Sequence, residues 1–427
     1  MNKGLAIRLI IHSILLSLKQ NNSTFEQLFD YYIKQKQLSD YDKKFIQNTV
    51  LTSIRHEFII LEIINNYKSK KKSSVEEYVL LLSAISQIVY LKIKDYAVIN
   101  CSVEISKSID SINYSFINAI LRKIAKNKKN FIKKNTNFNL LPSWFKENVG
   151  EWNSDTKKKF VTSIIKQPEL HLVFKDTKKL DLFKKEFKYK YFQTTEKSLI
   201  LKNNYKISKL PNYKKGHWWV QDYSAMLPLY LLENIKNKKV LDMCSAPGGK
   251  LFQILALENI VDAYEINNER AKTLNKNLNR LKFNIAVKVD SSMNIIGNKN
   301  YDVVLVDAPC SSVGTIRRNP EIFFRKTSLN LDYYINIQSK LLHHASKLVK
   351  KRGIIVYMVC SFLKKETNQQ INKFLRKHKE FNIVPFKDEN DNFDLLSKKG
   401  FLKIIPGSYK NEFLIDGFFA VQLVRND

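Results

Sequence analysis

From Leu5 to about Asn127 apolar residues recur every three or four positions, as at Leu81, Ala84, Ile85, Ile88 and Leu91, and no alternating run interrupts them. That spacing puts them on one face of a helix, so the stretch predicts an all-helical domain of about six helices. Asp40 and Ser74 stand where helix caps are needed, and the polar break "NNYKSKKKSS" at 65–74 separates two segments. After residue 128 the pattern changes. Short apolar runs, "HLVF" at 171–174 and "SLIL" at 198–201, lie among lysines and predict a small mixed unit. From about 218 onward, β-branched runs alternate with helical segments: "KVLDM", "IVDAYE", "IAVKV", "YDVVLV", then a long helix through "LLHHASKLVK" and "GIIVYM". Strands spaced by helices predict a parallel sheet covered on both faces, with "FFAVQLV" (418–424) as a late edge strand. The expected organisation is therefore a helical domain at 1–135, a small mixed basic connecting domain at 136–217 and a doubly wound α/β domain at 218–427. The helical domain is expected to fold independently.

Composition narrows the function classes. A chain of 427 residues suits two or three domains, and 44% hydrophobic residues can fill their cores. Lys and Arg number 72 against 40 acids, a net charge of +32 that would attract a polyanion. Lys, Asn, Ile, Phe and Tyr crowd the whole sequence while Gly (11) and Pro (9) are scarce, so compositional drift accounts for part of that excess. Residues 157–190 hold eleven lysines against four acids, which suits either a solvated face or an RNA-binding one. The run "GLAIRLIIHSILLSL" near the start is interrupted by Arg8 and His12 and lacks a small-residue cleavage site, so it does not read as a signal peptide. No run reaches the roughly 18 apolar residues of a membrane span. The expectation is a cytoplasmic protein with no membrane partner, and a monomer. The four cysteines, Cys101, Cys244, Cys310 and Cys360, form no Cys-x-x-Cys pair and have no zinc-like His spacing, so no metal is expected.

The chemistry gathers at strand ends, where a doubly wound sheet takes its ligands. "VLDMCSAPGGK" (240–250) leaves a strand and opens a helix through Ala246, Pro247, Gly248 and Gly249. Glycines allow close approach of a ligand to the backbone, and the free amides of a helix start suit an anionic group. The motif is neither a phosphate-binding Walker loop nor a complete G-x-G-x-x-G, which argues against nucleoside triphosphates and dinucleotides. Glu265 ends the second strand, where an acid can accept both hydroxyls of a ribose; Asp290 ends the third and Asp307 the fourth. A glycine loop, a ribose acid and two further acids on one edge are the layout expected for S-adenosyl-L-methionine. Cys244, Cys310 and Cys360 fall just past strands on that same rim, whereas Cys101 does not. Two thiols beside a methyl donor suit a pyrimidine, whose carbon 5 is not nucleophilic until a nucleophile adds to carbon 6. A cysteine can add, and a base must later remove the carbon-5 proton.

"VLDMCSAPGGK", "VLVDAPCSSVGTIRRNPEI" and "IVYMVCSFLKKETN" resemble the successive motifs of the RNA cytosine-5 methyltransferases. Within that superfamily the chain is similar to the bacterial Sun/Fmu type, the RsmB family acting on 16S ribosomal RNA. "RRNP" after the fourth-strand cysteine and "DGFFAVQLV" near the end favour that branch. "LLLSAISQIVYLKIKDYAVINCSVEIS" followed by "SFINAILRKI" is similar to the NusB-like RNA-binding domain, and "LPSWF" and "WWVQDYSAML" resemble the connecting segment. The resemblance implies a Rossmann-like methyltransferase domain in which Cys360 attacks the cytosine and Cys310 assists release. It implies that Cys244, Ser245, Ala246, Pro247, Gly248, Gly249, Lys250, Glu265, Asp290 and Asp307 hold S-adenosyl-L-methionine, with Asp307 and Lys250 also facing the target base. Arg317 and Arg318 are expected either to contact RNA phosphate or to form salt bridges inside their loop. The chain departs from the family at Met358–Val359, at Thr367 and at "SIRH" (53–56), which bear on the placing of Cys360, on the following helix and on helical packing. The expected partner is 16S ribosomal RNA, naked or in a partly assembled subunit. The alternatives are transfer RNA as substrate, or a non-catalytic RNA-binding assembly factor.

Overall fold

The computed structural model describes residues 3–21, 23–34, 36–67, 73–132, 134, 136–203, 205–297, 301–324, 330–386, 400–409 and 413–427. They form two compact units, one drawn from 3–147, 152–167 and 316–324, the other from 148–151, 168–315 and 330–427.

In the first unit, helices α1 (Lys3–Gln20), α2 (Phe25–Lys34), α3 (Asp40–Arg55), α4 (Glu57–Tyr67), α5 (Val75–Val89), α6 (Asp95–Lys107) and α7 (Tyr114–Ile132) surround one apolar core. Every residue from 79 to 89 is buried, so α5 is the central helix, apolar on all sides, and the others pack their stripes on it. Ser74 caps α5 by accepting the Glu77 N–H at 3.1 Å. The cap of α3 is Ser39 rather than the expected Asp40, which is the first helical residue; the Ser39 hydroxyl accepts from the Asp42 N–H, and the Asp42 carboxylate accepts from the Ser39 N–H, both at 3.2 Å. Among the described residues seven helices stand where about six were expected, because α3 and α4 are parted only by His56, with no Gly or Pro to mark the break. The His56 ring stacks on Tyr90 at 3.8 Å. The run "GLAIRLIIHSILLSL" lies within α1 and buries Ile7, Ile10, Ile11, Ile14, Leu15 and Leu18 in this core. No helix among the described residues is long and apolar enough to cross a membrane.

Helices α8 (Ser143–Val149) and α9 (Ser154–Ile164) follow, the latter capped by Asn153. Phe145, on α8, packs on Phe160 and Phe323 at ring distances of 5.4 and 4.8 Å. The segment 316–324 thus belongs to the helical unit, and Phe324, completely buried, enters the same core as α1 and α5. The Lys19 ammonium lies 4.3 Å from the Phe324 ring centroid, and the Phe25 N–H donates to Glu321 Oε1 at 3.4 Å. The helical core therefore takes in a distant segment besides residues 1–135. Arg317 is 1% exposed, so the RNA-phosphate alternative does not fit its side chain. Its carbonyl accepts from Arg55 Nη2 at 3.1 Å. Burial, and then the Arg317 charge, push the Arg55 guanidinium down to about 10, against an opposing pull from Glu321.

The second unit opens with an antiparallel sheet of order β2-β3-β1-β4, made of β1 (Leu170–Phe174), β2 (Tyr191–Thr195), β3 (Ser198–Leu201) and β4 (Trp218–Val220), with α10 (Thr177–Glu186) against it. Leu172, Phe174, Phe183, Leu199, Leu201 and Trp218 form its core. After α11 (Tyr223–Tyr230) the chain builds the doubly wound sheet from β5 (Lys239–Asp242), β6 (Ile260–Tyr264), β7 (Val287–Lys288), β8 (Tyr301–Asp307), β9 (Val349–Val359), β10 (Phe381–Val384), β11 (Leu402–Ile404) and β12 (Phe418–Arg425). Between these strands run α12 (Gly249–Leu255), α13 (Asn268–Leu281) and the helices Leu331–Leu348 and Asn368–Lys377. The order is β10-β12-β9-β8-β5-β6-β7, with β11 also paired to β12. Strands β5 to β9 pair in parallel, as expected. The last strand differs from expectation: β12 lies between β9 and β10, antiparallel to both, so it is interior and the sheet is mixed. Phe418 to Leu423 are all buried, as an interior strand requires.

Candidate active site

From β5 the chain proceeds to β6 on one side and returns to β8 on the other, so β5 and β8 flank the switch point where such sheets form a crevice. The loop from Met243 to Gly248 leaves β5 there. Its Ser245 N–H donates to the Tyr264 carbonyl at 2.9 Å, and its Ala246 N–H to Glu265 Oε2 at 3.2 Å. Gly248 has φ +114°, and a Cβ on it would stand 2.2 Å from Phe252 and 2.6 Å from Leu274, so the turn into α12 requires glycine. Pro247 is exposed, and a Cβ on Gly249 would stand 3.0 Å from the Gln221 side chain. Glu265, 2% exposed, also accepts the Asn267 N–H at 2.9 Å. Arg270 Nη1 lies 3.7 Å from Glu265 Oε2 while Nη2 donates to the Ala246 carbonyl, so one arginine ties the acid to the loop.

Asp307 ends β8 and accepts from Lys250 Nζ at 2.7 Å, with the side chains 21% and 10% exposed. Burial works against the Lys250 charge, but Asp307, and then Cys360, hold its pKa above the ordinary lysine value. The two thiols expected to do chemistry are brought near each other: the neighbouring Cys360, then burial, push the Cys310 thiol well above the usual range. The Gly314 N–H donates to the Cys360 carbonyl at 2.9 Å and the Gly417 N–H to the Gly314 carbonyl at 2.8 Å, so three loops interlock beneath the thiols. A Cβ on Gly314 would lie 2.0 Å from the Gly417 oxygen. Cys244 is different: burial, then the charges of Asp242, Asp307 and Glu265, raise its thiol far above the usual range, which leaves it protonated. Asp290 is exposed, and the hydrogen bonds found for it stay on its own loop, to the Ser291 N–H at 2.6 Å and Asn294 Nδ2 at 2.9 Å.

Two groups escaped the sequence reading. Asp242, 2% exposed at the end of β5, is pushed up to about 7 by burial and then by the Asp307 charge, while its Oδ1 accepts the Cys244 N–H at 3.3 Å. A carboxylate inside the apolar run "VLDM" was the available signal. Glu366, completely buried, lies behind both cysteine loops. Its signal was weaker, since a glutamate between two lysines and a threonine reads as surface.

Residues 229–424 match the family described as 16S rRNA methyltransferase RsmB/F, and residues 5–126 match the NusB family. The ribosomal RNA small subunit methyltransferase B of Photorhabdus laumondii is 27% identical over 410 residues, covering 92% of each chain. That of Yersinia enterocolitica is 28% identical over 371 residues, covering 82% of this chain and 86% of its own. Among solved structures, PH0851 aligns over 99% of both chains with a TM-score of 0.71 at 21% identity, and a methyltransferase homologue from Pyrococcus horikoshii covers 66% of this chain and 94% of its own with a TM-score of 0.55 at 20% identity, both likenesses of fold. The donor set suits the cofactor of such enzymes: a buried carboxylate at the end of β6 stands bonded to a turn whose glycines leave the backbone bare. Residues 229–424 therefore belong to the RsmB/F methyltransferase family and residues 5–126 to the NusB family, and the chain is a methyltransferase dependent on S-adenosylmethionine.

Proposed function

We propose that this chain methylates carbon 5 of a cytosine in small-subunit (16S) ribosomal RNA through a covalent cysteine adduct. The observation that supports the reading is that the loops bearing Cys310 and Cys360 are joined, the Gly314 N–H donating to the Cys360 carbonyl at 2.9 Å, on the edge that also holds the Lys250–Asp307 pair. A thiolate is the reactive form of cysteine, and a nearby cation favours it. Lys250 is the cation on this edge of the site, and the Cys310 thiol is pushed well above its usual range. On this reading Cys360 is the nucleophile and Cys310 the residue that assists release.

S-adenosylmethionine, when bound, supplies a methyl group on a positively charged sulfur. Glu265 holds its ribose hydroxyls, with the 244–250 loop and Asp307 also on its side of the site, and Asp290 serves from its exposed loop. The target cytosine must leave its stack to reach the thiols. Cys360 Sγ bonds to carbon 6, and the electron pair displaced from the ring double bond makes carbon 5 nucleophilic. Asp307, fixed by Lys250, faces the base edge. Once carbon 5 carries the methyl group, the Cys360 sulfur is a neutral thioether. Cys310 then releases its proton to solvent and takes the proton from carbon 5. The ring double bond re-forms, and Cys360 departs as thiolate.

The test is a denaturing gel of protein incubated with S-adenosylmethionine and a 16S RNA fragment or transfer RNA. Cys310→Ser should give a slow protein–RNA band with the 16S fragment, and Cys360→Ser and the double variant should give none. A band from Cys360→Ser alone would exchange the roles. No band from either, despite RNA binding, would remove the covalent route, and a band with transfer RNA only would move the substrate.

A further inference from the structure

Each thiol is followed by a serine, Ser311 after Cys310 and Ser361 after Cys360, and both serines reach one buried carboxylate. We propose that Glu366 is a positioning residue that sets the separation of Cys310 and Cys360 by bracing their two loops from behind. Its Oε1 accepts the Ser311 N–H at 2.8 Å and Gln338 Nε2 at 3.1 Å. Its Oε2 accepts the Ser361 hydroxyl at 2.6 Å and also the Ser311 hydroxyl, which lies 3.2 Å from that of Ser361. Gln338 carries the brace one residue further back by donating to the Pro309 carbonyl at 3.0 Å. Glu366 is itself fixed from behind, because the Tyr357 hydroxyl donates to its carbonyl at 2.8 Å. A carboxylate that is 0% exposed and bonded to both loops costs too much desolvation to serve as filler. Stability alone would be served as well by apolar packing, whereas two thiols that must act on adjacent ring carbons need a fixed spacing.

Glu366 touches neither thiol in this network; it acts through the serines. Its charge also contributes to holding Cys310 protonated, behind the larger effects of Cys360 and burial. The catalytic consequence rests on the covalent reading above, but the spacing does not, and phenylarsine oxide, which bridges two neighbouring thiols, reads the spacing directly. The intact protein should capture one arsenical at this pair, seen by mass and lost in Cys310→Ser. Glu366→Gln keeps the shape but sets an amide donor against the donors around it, and should weaken capture ~10-fold as the effective concentration of one thiol at the other falls. It should lower kcat by about 100-fold, the usual consequence of misplacing reacting groups by an ångström, with KM for RNA and for S-adenosylmethionine little changed. Ser361→Ala, which deletes one bond of the brace and is the gentler change, should move capture in the same direction by a smaller factor. Unaltered capture and kcat in Glu366→Gln would overturn the proposal; if that variant does not fold, unaltered capture in Ser361→Ala would. Weakened capture in Glu366→Gln, with no RNA adduct from Cys310→Ser, would uphold the brace and remove only the covalent reading.

Discussion

Asp242 makes stability a function of pH in a way that one substitution can isolate. Its carboxyl is pushed up to about 7 by burial and by Asp307, so the folded protein holds a proton that the unfolded chain has already released. Stability from the protonated form is complete below the unfolded value, near 4, and is lost as pH rises through 7. Integrating that proton difference from roughly pH 5 to pH 7 gives a loss of about 2 kcal/mol, with little further change above pH 8. His56 works in the opposite sense. Burial, and then Arg55, push it down to about 4, so its contribution grows as pH rises to the ordinary histidine value. A single stability profile would mix the two, and the difference between wild type and Asp242→Asn separates them. Asparagine keeps an acceptor for the Cys244 N–H and cannot ionise. The stability of the catalytic unit is read by hydrogen exchange in peptides spanning 239–264 at pH 5, 6, 7 and 8, corrected for intrinsic exchange. Asp242→Asn should gain about 2 kcal/mol on wild type between pH 5 and pH 7. Parallel profiles for the two proteins would show that Asp242 carries no penalty for ionising, and the electrostatic account of the site would then be wrong.

Two further substitutions probe the donor site and the helical core. Glu265→Ala should weaken S-adenosylmethionine binding by roughly 10- to 100-fold in calorimetry, the loss of one charged acceptor, and leave RNA affinity unchanged; equal loss of both would remove the ribose role. Phe324→Ala should cost about 3–5 kcal/mol and lower hydrogen-exchange protection in α1 and α5, because its ring is buried in their core. Unchanged protection in those helices would show that segment 316–324 is not part of the helical unit's core.

What the sequence disclosed, and what it withheld, follows from how each feature is encoded. The strand ends carrying Cys244, Glu265, Asp307, Cys310 and Cys360 were legible because a β-branched run and its polar exit are local patterns, and a doubly wound sheet sends all such exits to one edge. The place of β12 was not legible, since an apolar strand of eight residues reads alike at an edge and between two neighbours; pairing is a long-range choice. Arg317 misled for a related reason. An arginine beside a catalytic loop suggests phosphate, yet the chain carries it away into the core of the helical unit, where Arg55 meets its carbonyl. Glu366 is the sharper case, because its neighbours Lys365 and Thr367 give no hint of complete burial. The "CS" pairs at 310–311 and 360–361 did state half of the device, namely that each thiol is trailed by a hydroxyl. The other half exists only when β8 and β9 lie side by side, since that pairing brings the two hydroxyls within reach of one carboxylate. On the proposed reading, the spacing of the two thiols is therefore written in the register of the sheet, and a substitution at Glu366 should disturb it while Cys310 and Cys360 themselves stay intact.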